Sequence, residues 1–246
     1  MGEIDPAFVQ APEHRPKLSV IEAEGIPVID PDDKEITEWY NQWPEFPPEM
    51  RETFQEYAYH MEKLALKLME LIAMSLGLPP KQFHGFFKDQ TSWIRLNYYP
   101  PCPNPDLVLG CGRHKDSGAL TVLAQDEVPG LEVRRKSDGE WVLVKPLPDA
   151  YIINVGDVIQ VWCNDAYESV EHRVMLSADK ARLSYPFFLF PAHYTNVQPL
   201  EELTDEQNPP KYRPCNWGKF LATGKRSNFM KLDVENIQIH HFRINN

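Results

Sequence analysis

Between Pro48 and Leu76 apolar side chains return every three or four residues. Phe54, Tyr57, Met61, Leu64, Leu68, Leu71 and Ile72 form one stripe, the pattern of an amphipathic helix. Gly77 fits the left-handed position after a last helical turn, and Pro79 blocks continuation. From Thr91 onward the pattern changes. Short apolar or alternating runs follow at Trp93–Tyr98, Ala119–Ala124, Leu131–Arg134, Trp141–Val144, Tyr151–Val155, Val158–Trp162 and Leu183–Phe190, separated by Gly, Pro, Asp and Asn. Ser137-Asp138-Gly139, between two such runs, reads as a hairpin turn. About seven closely spaced strands predict a sandwich or a double-sheet jelly roll. The expected fold is mainly β with supporting helices: a distorted jelly roll (double-stranded β-helix) flanked by a long amphipathic helix.

The flanks are less regular. Residues 1–25 are polar and aperiodic and read as an arm, and Ile26–Asp30 (IPVID) reads as a short strand. Pro31-Asp32-Asp33-Lys34 then leads into an aromatic stretch with Trp39, Tyr40, Trp43 and Phe46. Prolines, several of them paired as at Pro79-Pro80 and Pro100-Pro101, punctuate short elements. No fixed-period repeat is visible. Four segments are expected: an N-terminal arm over 1–47, a supporting helix over 48–90, a barrel core over 91–195 and a C-terminal segment over 196–246.

With 246 residues, the chain can bury roughly 70–75% of its unfolded surface and needs no covalent staples. The formal net charge of -11 argues against binding a nucleic-acid backbone or an anionic membrane surface. It leaves room for an acidic small molecule, because one buried Arg can capture a carboxylate inside an acidic protein. Cys102, Cys111, Cys163 and Cys215 are scattered, match no zinc spacing and suit a reducing compartment. No secretory h-region or bilayer-spanning run is present. Pro6 breaks the myristoylation pattern that Met1-Gly2 opens. The expected location is the cytoplasm. No pattern specifies an oligomeric state.

Candidate chemistry begins at His114-Lys115-Asp116. The segment is expected to start a strand, where residues i and i+2 share a face, so an imidazole and a carboxylate would lie side by side. His172 falls in a second short extended segment. Two histidines and one carboxylate suit an Fe(II) ion that keeps positions open, whereas structural zinc requires four closed ligands. His-x-Asp alone is a weak signal, since a lone His is ordinarily a surface group or a hydrogen-bonded core residue. Arg182-Leu183-Ser184 strengthens it. At strand spacing a guanidinium and a hydroxyl face the same way, a receptor for a distal carboxylate. The apolar run Tyr185–Phe190 that follows is expected to be interior, where an Arg without an anionic partner is costly.

His114-Lys115-Asp116, His172 and Arg182-Leu183-Ser184, in that order and spacing, resemble the Fe(II)/2-oxoglutarate-dependent dioxygenase family. The resemblance is to its plant branch, related to isopenicillin N synthase, anthocyanidin synthase and flavonol synthase. Leu96–Cys102, Leu120–Leu123, Gly130–Val133, Asn154–Asp157 and Glu171–Val174 extend the match. The resemblance implies His114, Asp116 and His172 as iron ligands, and Arg182 and Ser184 as the site for the far carboxylate of 2-oxoglutarate. Asn97 and Tyr99 would assist co-substrate binding, and Phe188 would line the substrate pocket. Asn154–Asp157 reads as a structural turn. The implied reaction hydroxylates or desaturates a small organic metabolite with dioxygen, releasing succinate and carbon dioxide, with ascorbate supportive. Substrate identity would lie in variable loops and in Leu200–Lys231.

One departure from the family is large. The region that normally follows the Ile-Pro-Val-Ile-Asp strand, with its Trp-Gly-Phe-Phe motif, is missing between about Asp30 and Lys34. Its loss would expose sheet edges and apolar surface. An alternative reading follows: a truncated, catalytically impaired isoform that keeps the metal motif and acts as a binding or regulatory protein. A third reading is a relative that oxidises its substrate without 2-oxoglutarate, as the aminocyclopropane-carboxylate oxidases do.

Overall fold

The computed structural model describes residues 41–221 and 239–244. Most of the expected arm, the IPVID strand, the point of the missing block and part of the C-terminal segment lie outside them. Helix α1 spans Met50–Ser75, within the expected Pro48–Leu76. Its buried line is Met61, Ala65, Met69 and Ala73, spaced by four residues. Two alanines therefore belong to the inner face, while Leu71, read as part of the stripe, is 51% exposed. Small side chains let the helix lie close against its sheet, and larger residues such as Tyr57, Leu64, Leu68 and Ile72 flank the contact. Gly77 ends the helix at φ +76°, a conformation that favours glycine.

Eleven strands follow among the described residues: β1 (Trp93–Ile94), β2 (Asn97–Tyr99), β3 (Leu109–His114), β4 (Leu120–Gln125), β5 (Leu131–Arg134), β6 (Trp141–Leu143), β7 (Ile152–Val155), β8 (His172–Met175), β9 (Arg182–Leu189), β10 (Asn196–Val197) and β11 (Cys215–Asn216). All named pairings are antiparallel. A five-stranded sheet runs β1-β9-β4-β7 with β2 also on β9, a four-stranded sheet runs β3-β8-β5-β6, and β10 pairs with β11. The two larger sheets face each other as a double-stranded β-helix. The hairpin expected at Ser137–Gly139 joins β5 to β6, with Gly139 at φ +76°. Trp93–Tyr98, read as one run, divides into β1 and β2, both paired with β9.

Val158–Trp162 was expected as a strand and is a helix, α2 (Asp157–Trp162). All six of its residues are buried, and a short buried run has no polar face to reveal its period. Its first backbone donors are met by the preceding loop: Asp157 N–H donates to Asp116 O at 2.8 Å and Val158 N–H to Gly118 O at 3.0 Å. At Gly156, a Cβ would stand 2.3 Å from Gly118 O and 2.7 Å from Asp116 O. The chain therefore turns into α2 against bare backbone.

The core lies between α1 and the outer face of the five-stranded sheet. Leu120 and Val122 from β4, and Phe187 and Leu189 from β9, point into it. Trp162 is fully buried, with ring centroids 5.3 Å from Phe83 and 4.5 Å from Phe86 in stacked pairs. The far edge of the larger sheet is β7, where Ile153 is 40% exposed, and neighbouring Tyr151 is 43% exposed. No helix among the described residues is long and apolar enough to cross a membrane. Trp162→Ala is expected to cost about 3–5 kcal/mol in denaturant unfolding. Trp162→Phe should cost less, because it keeps a ring there and removes an indole N–H that has no acceptor.

Candidate metal centre

Between the two larger sheets lies a cavity of about 200 Å³. Its lining includes every residue that the sequence singled out: His114, Asp116, His172, Arg182, Ser184, Asn97, Tyr99 and Phe188. They arrive from four strands, β2, β3, β8 and β9, and one loop.

The first histidine and the aspartate are not placed as expected. His114 is the last residue of β3 rather than an early one, and Asp116 lies in the loop beyond it. Strand alternation therefore does not align them. Asp116 is held by its neighbours: Thr121 Oγ1 donates to Oδ2 at 2.6 Å and Asn154 Nδ2 donates to the same oxygen at 2.8 Å. His172 opens β8 and is the register partner of His114. Oδ1 of Asp116 lies 3.7 Å from His114 Nε2 and 3.6 Å from His172 Nε2, and the two imidazole centroids are 4.2 Å apart. One donor atom from each residue lies within 4.8 Å of the others.

Both imidazoles are presented in the same tautomer. His114 Nδ1 lies 2.8 Å from Gly112 O and His172 Nδ1 lies 3.1 Å from Val170 O. A carbonyl only accepts, so each Nδ1–H donates and each Nε2 lone pair is left for an ion. Two nitrogens and one carboxylate oxygen fit a divalent ion with open positions, as in non-haem Fe(II) centres. Desolvation of His114 disfavours its charge, but Cys111, the Gly112 carbonyl and Asp116 outweigh it and push its pKa up to about 9. Burial lowers the pKa of His172. The side chain of His114 is 41% exposed, against 13% for His172 and 7% for Asp116, so the triad opens to solvent on the β3 side.

The opposite polar group is Arg182, only 2% exposed. Its Nη2 donates to Gln125 Oε1 at 2.7 Å, while Nε and Nη1 are buried without an acceptor. Leaving such donors unmet is costly, so the position suits an anionic ligand. Tyr99 is the register partner of Arg182, and Asn97 that of Ser184. The Tyr99 ring centroid lies 5.4 Å from the guanidinium carbon, and Asn97 Nδ2 donates to Ser184 Oγ at 3.2 Å. Phe188 is further along the same face of β9, beside Trp93.

Residues 90–191 match the profile of the 2OG-Fe(II) oxygenase superfamily. The chain carries a 2OG-Fe(II) oxygenase superfamily domain. Jasmonate-induced oxygenase 2 of Arabidopsis thaliana is 42% identical over 184 residues, 74% of this chain and 49% of that protein. The crystal structure of JOX2 in complex with 2OG, Fe, and JA superposes with a TM-score of 0.70 at 42% identity, covering 73% of this chain and 53% of that one. The rice dioxygenase for auxin oxidation gives 0.69 at 34% identity, covering 80% and 65%. The chain spans about half the length of the curated relatives it matches.

Two residues of the oxygenase domain that touch Asp116 escaped the sequence reading. Thr121 stands as a polar residue in the apolar run Leu120–Leu123, and that interruption was its signal. Asn154 was assigned to a structural turn; it lies on β7, and the turn begins only at Gly156. Gln125, the partner of Arg182, carried no comparable signal.

Metal binding requires neutral imidazoles. His114 keeps its proton up to about pH 9 in the free protein, while His172 sheds its own below the ordinary range. Metal affinity is therefore expected to rise with pH from 6.5 to 9, approaching about tenfold per unit where one proton is displaced. Mn(II) titrations at constant ionic strength measure this, and a flat profile would contradict it.

Proposed function

We propose that this chain is an Fe(II)- and 2-oxoglutarate-dependent oxygenase. It hydroxylates or desaturates a small organic metabolite and releases succinate and carbon dioxide. The observation that carries the proposal is that a His-Asp-His triad and a buried, incompletely partnered guanidinium share one cavity.

His114, Asp116 and His172 would hold the iron, each through one atom. Arg182 and Ser184 would take the far carboxylate of 2-oxoglutarate, with charge-assisted hydrogen bonds from the unmet guanidinium donors. Asn97 orients the Ser184 hydroxyl, and Tyr99 supports the guanidinium from β2. Bound iron with its co-substrate supplies the oxidation by dioxygen, and ascorbate would keep the ion reduced. The rest of the lining is largely apolar, including Leu123, Leu131, Val133, Ile152, Val174 and Phe188. These walls limit water and favour a small, mostly apolar substrate, with Phe188 as one of its contacts.

The assembled triad supports this reading over the impaired binding or regulatory protein. The proposal includes a reducing, cytoplasmic setting, which the free Cys102, Cys111, Cys163 and Cys215 support, and a role in plant secondary metabolism, which the plant relatives support.

Anaerobic titration with Fe(II) and then 2-oxoglutarate is expected to produce the weak visible charge-transfer band of the chelate. His172→Ala should abolish the band. Arg182→Ala should weaken co-substrate affinity about 10–100-fold, the loss expected for hydrogen bonds to a charged group. A folded wild-type protein that gives no band would overturn the proposal.

A further inference from the structure

We infer that Thr121 and Asn154 are positioning residues that make Asp116 a one-oxygen ligand, an inference that rests on the metal reading of the triad. The two carboxylate oxygens have separate surroundings. Oδ2 accepts hydrogen bonds from Thr121 Oγ1 at 2.6 Å and Asn154 Nδ2 at 2.8 Å. Oδ1 faces Nε2 of both histidines, at 3.7 Å and 3.6 Å. A carboxylate oxygen offers about two lone-pair directions, so these two donors use those of Oδ2. Only Oδ1 is left to meet an ion.

The donors are also rigidly spaced. Thr121 on β4 and Asn154 on β7 are direct cross-strand partners, so the backbone ladder sets the distance between them. Thr121 is 5% exposed and Asp116 7%, which leaves little room for water to substitute. The backbone of Asp116 is fixed as well, by the Asp157 N–H at 2.8 Å. Rotation of the carboxylate would break one buried and one half-buried hydrogen bond at once.

The chemical consequence concerns the open positions. An ion gripped by both oxygens of Asp116 would lose a position that a chelating co-substrate or dioxygen needs. Held through Oδ1 alone, it keeps that position. The pair thus acts on the ion through Asp116, without touching the ion or the substrate.

The test uses the full chain under anaerobic conditions with Mn(II) as the probe. Free Mn(II) is followed by electron paramagnetic resonance, 2-oxoglutarate binding to the Mn(II)-loaded protein is measured separately, and circular dichroism reports folding. Thr121→Val, which keeps the shape and removes the hydroxyl, and Asn154→Leu should each weaken Mn(II) binding about 10–100-fold and also weaken 2-oxoglutarate binding. Thr121→Ser, which keeps the hydroxyl and loses the methyl, should retain wild-type affinity. Folded T121V and N154L proteins with wild-type affinities would overturn the inference. So would a T121S loss as large as that of T121V, because packing rather than the hydroxyl would then matter. If T121V does not fold, N154L decides alone; unfolding of both would make the pair structural and likewise overturn it. A wild-type protein that binds no Mn(II) refutes the metal reading itself, and this inference falls with it.

Discussion

A one-residue slip between β4 and β9 would turn the faces of one strand over relative to the other and split the site between the two sides of the sheet. In the observed register Leu120 pairs with Leu189 and Gln125 with Ser184. Leu120, Val122, Phe187 and Leu189 then enter the core against α1, while Thr121, Leu123, Arg182, Ser184, Pro186 and Phe188 line the cavity. Burial of a large apolar side chain is worth about 1.5–3 kcal/mol, and a slip would forfeit it at two places together, on whichever strand turned over. The apolar side of the sheet thus holds polar groups in positions that they could not hold themselves.

Those polar groups are arranged to be incomplete. The interior bears the cost of a guanidinium with two unmet donors, and it sets two imidazole nitrogens and one carboxylate oxygen beside one another. A protein optimised for stability alone would pair such groups or replace them. Ligands that satisfy them stabilise the folded state by mass action, so the fold and its occupants support one another. The exposure is uneven: His114 stands at the open side while Asp116 and His172 are enclosed.

Chemistry was more legible in the sequence than geometry. His114, Asp116 and His172 could be read because two histidines and a carboxylate suit Fe(II) and, in order with Arg182-Leu183-Ser184, resemble a known motif; Arg182 and Ser184 do share a strand face. The same rule failed for His114 and Asp116, because β3 ends between them and loop contacts take over. Val158–Trp162 was misread for a related reason: total burial erases the polar face that separates a helix from a strand. Thr121 and Asn154 act through hydrogen bonds to a residue outside both their strands. Nothing local in either segment names Asp116 as the acceptor.

Gly156 lies where the backbone enters α2, so close to the carbonyls of Gly118 and Asp116 that there is no space for a methyl group. Any side chain there would push the Asp116 loop away from β4 and β7, and the carboxylate would be carried out of reach of its donors. In a saturation mutagenesis survey of function, Gly156 would score with the metal ligands, although it has no side chain to contribute. An intolerant position beside this cavity can therefore report a shared boundary of the chain path rather than a participant in the reaction.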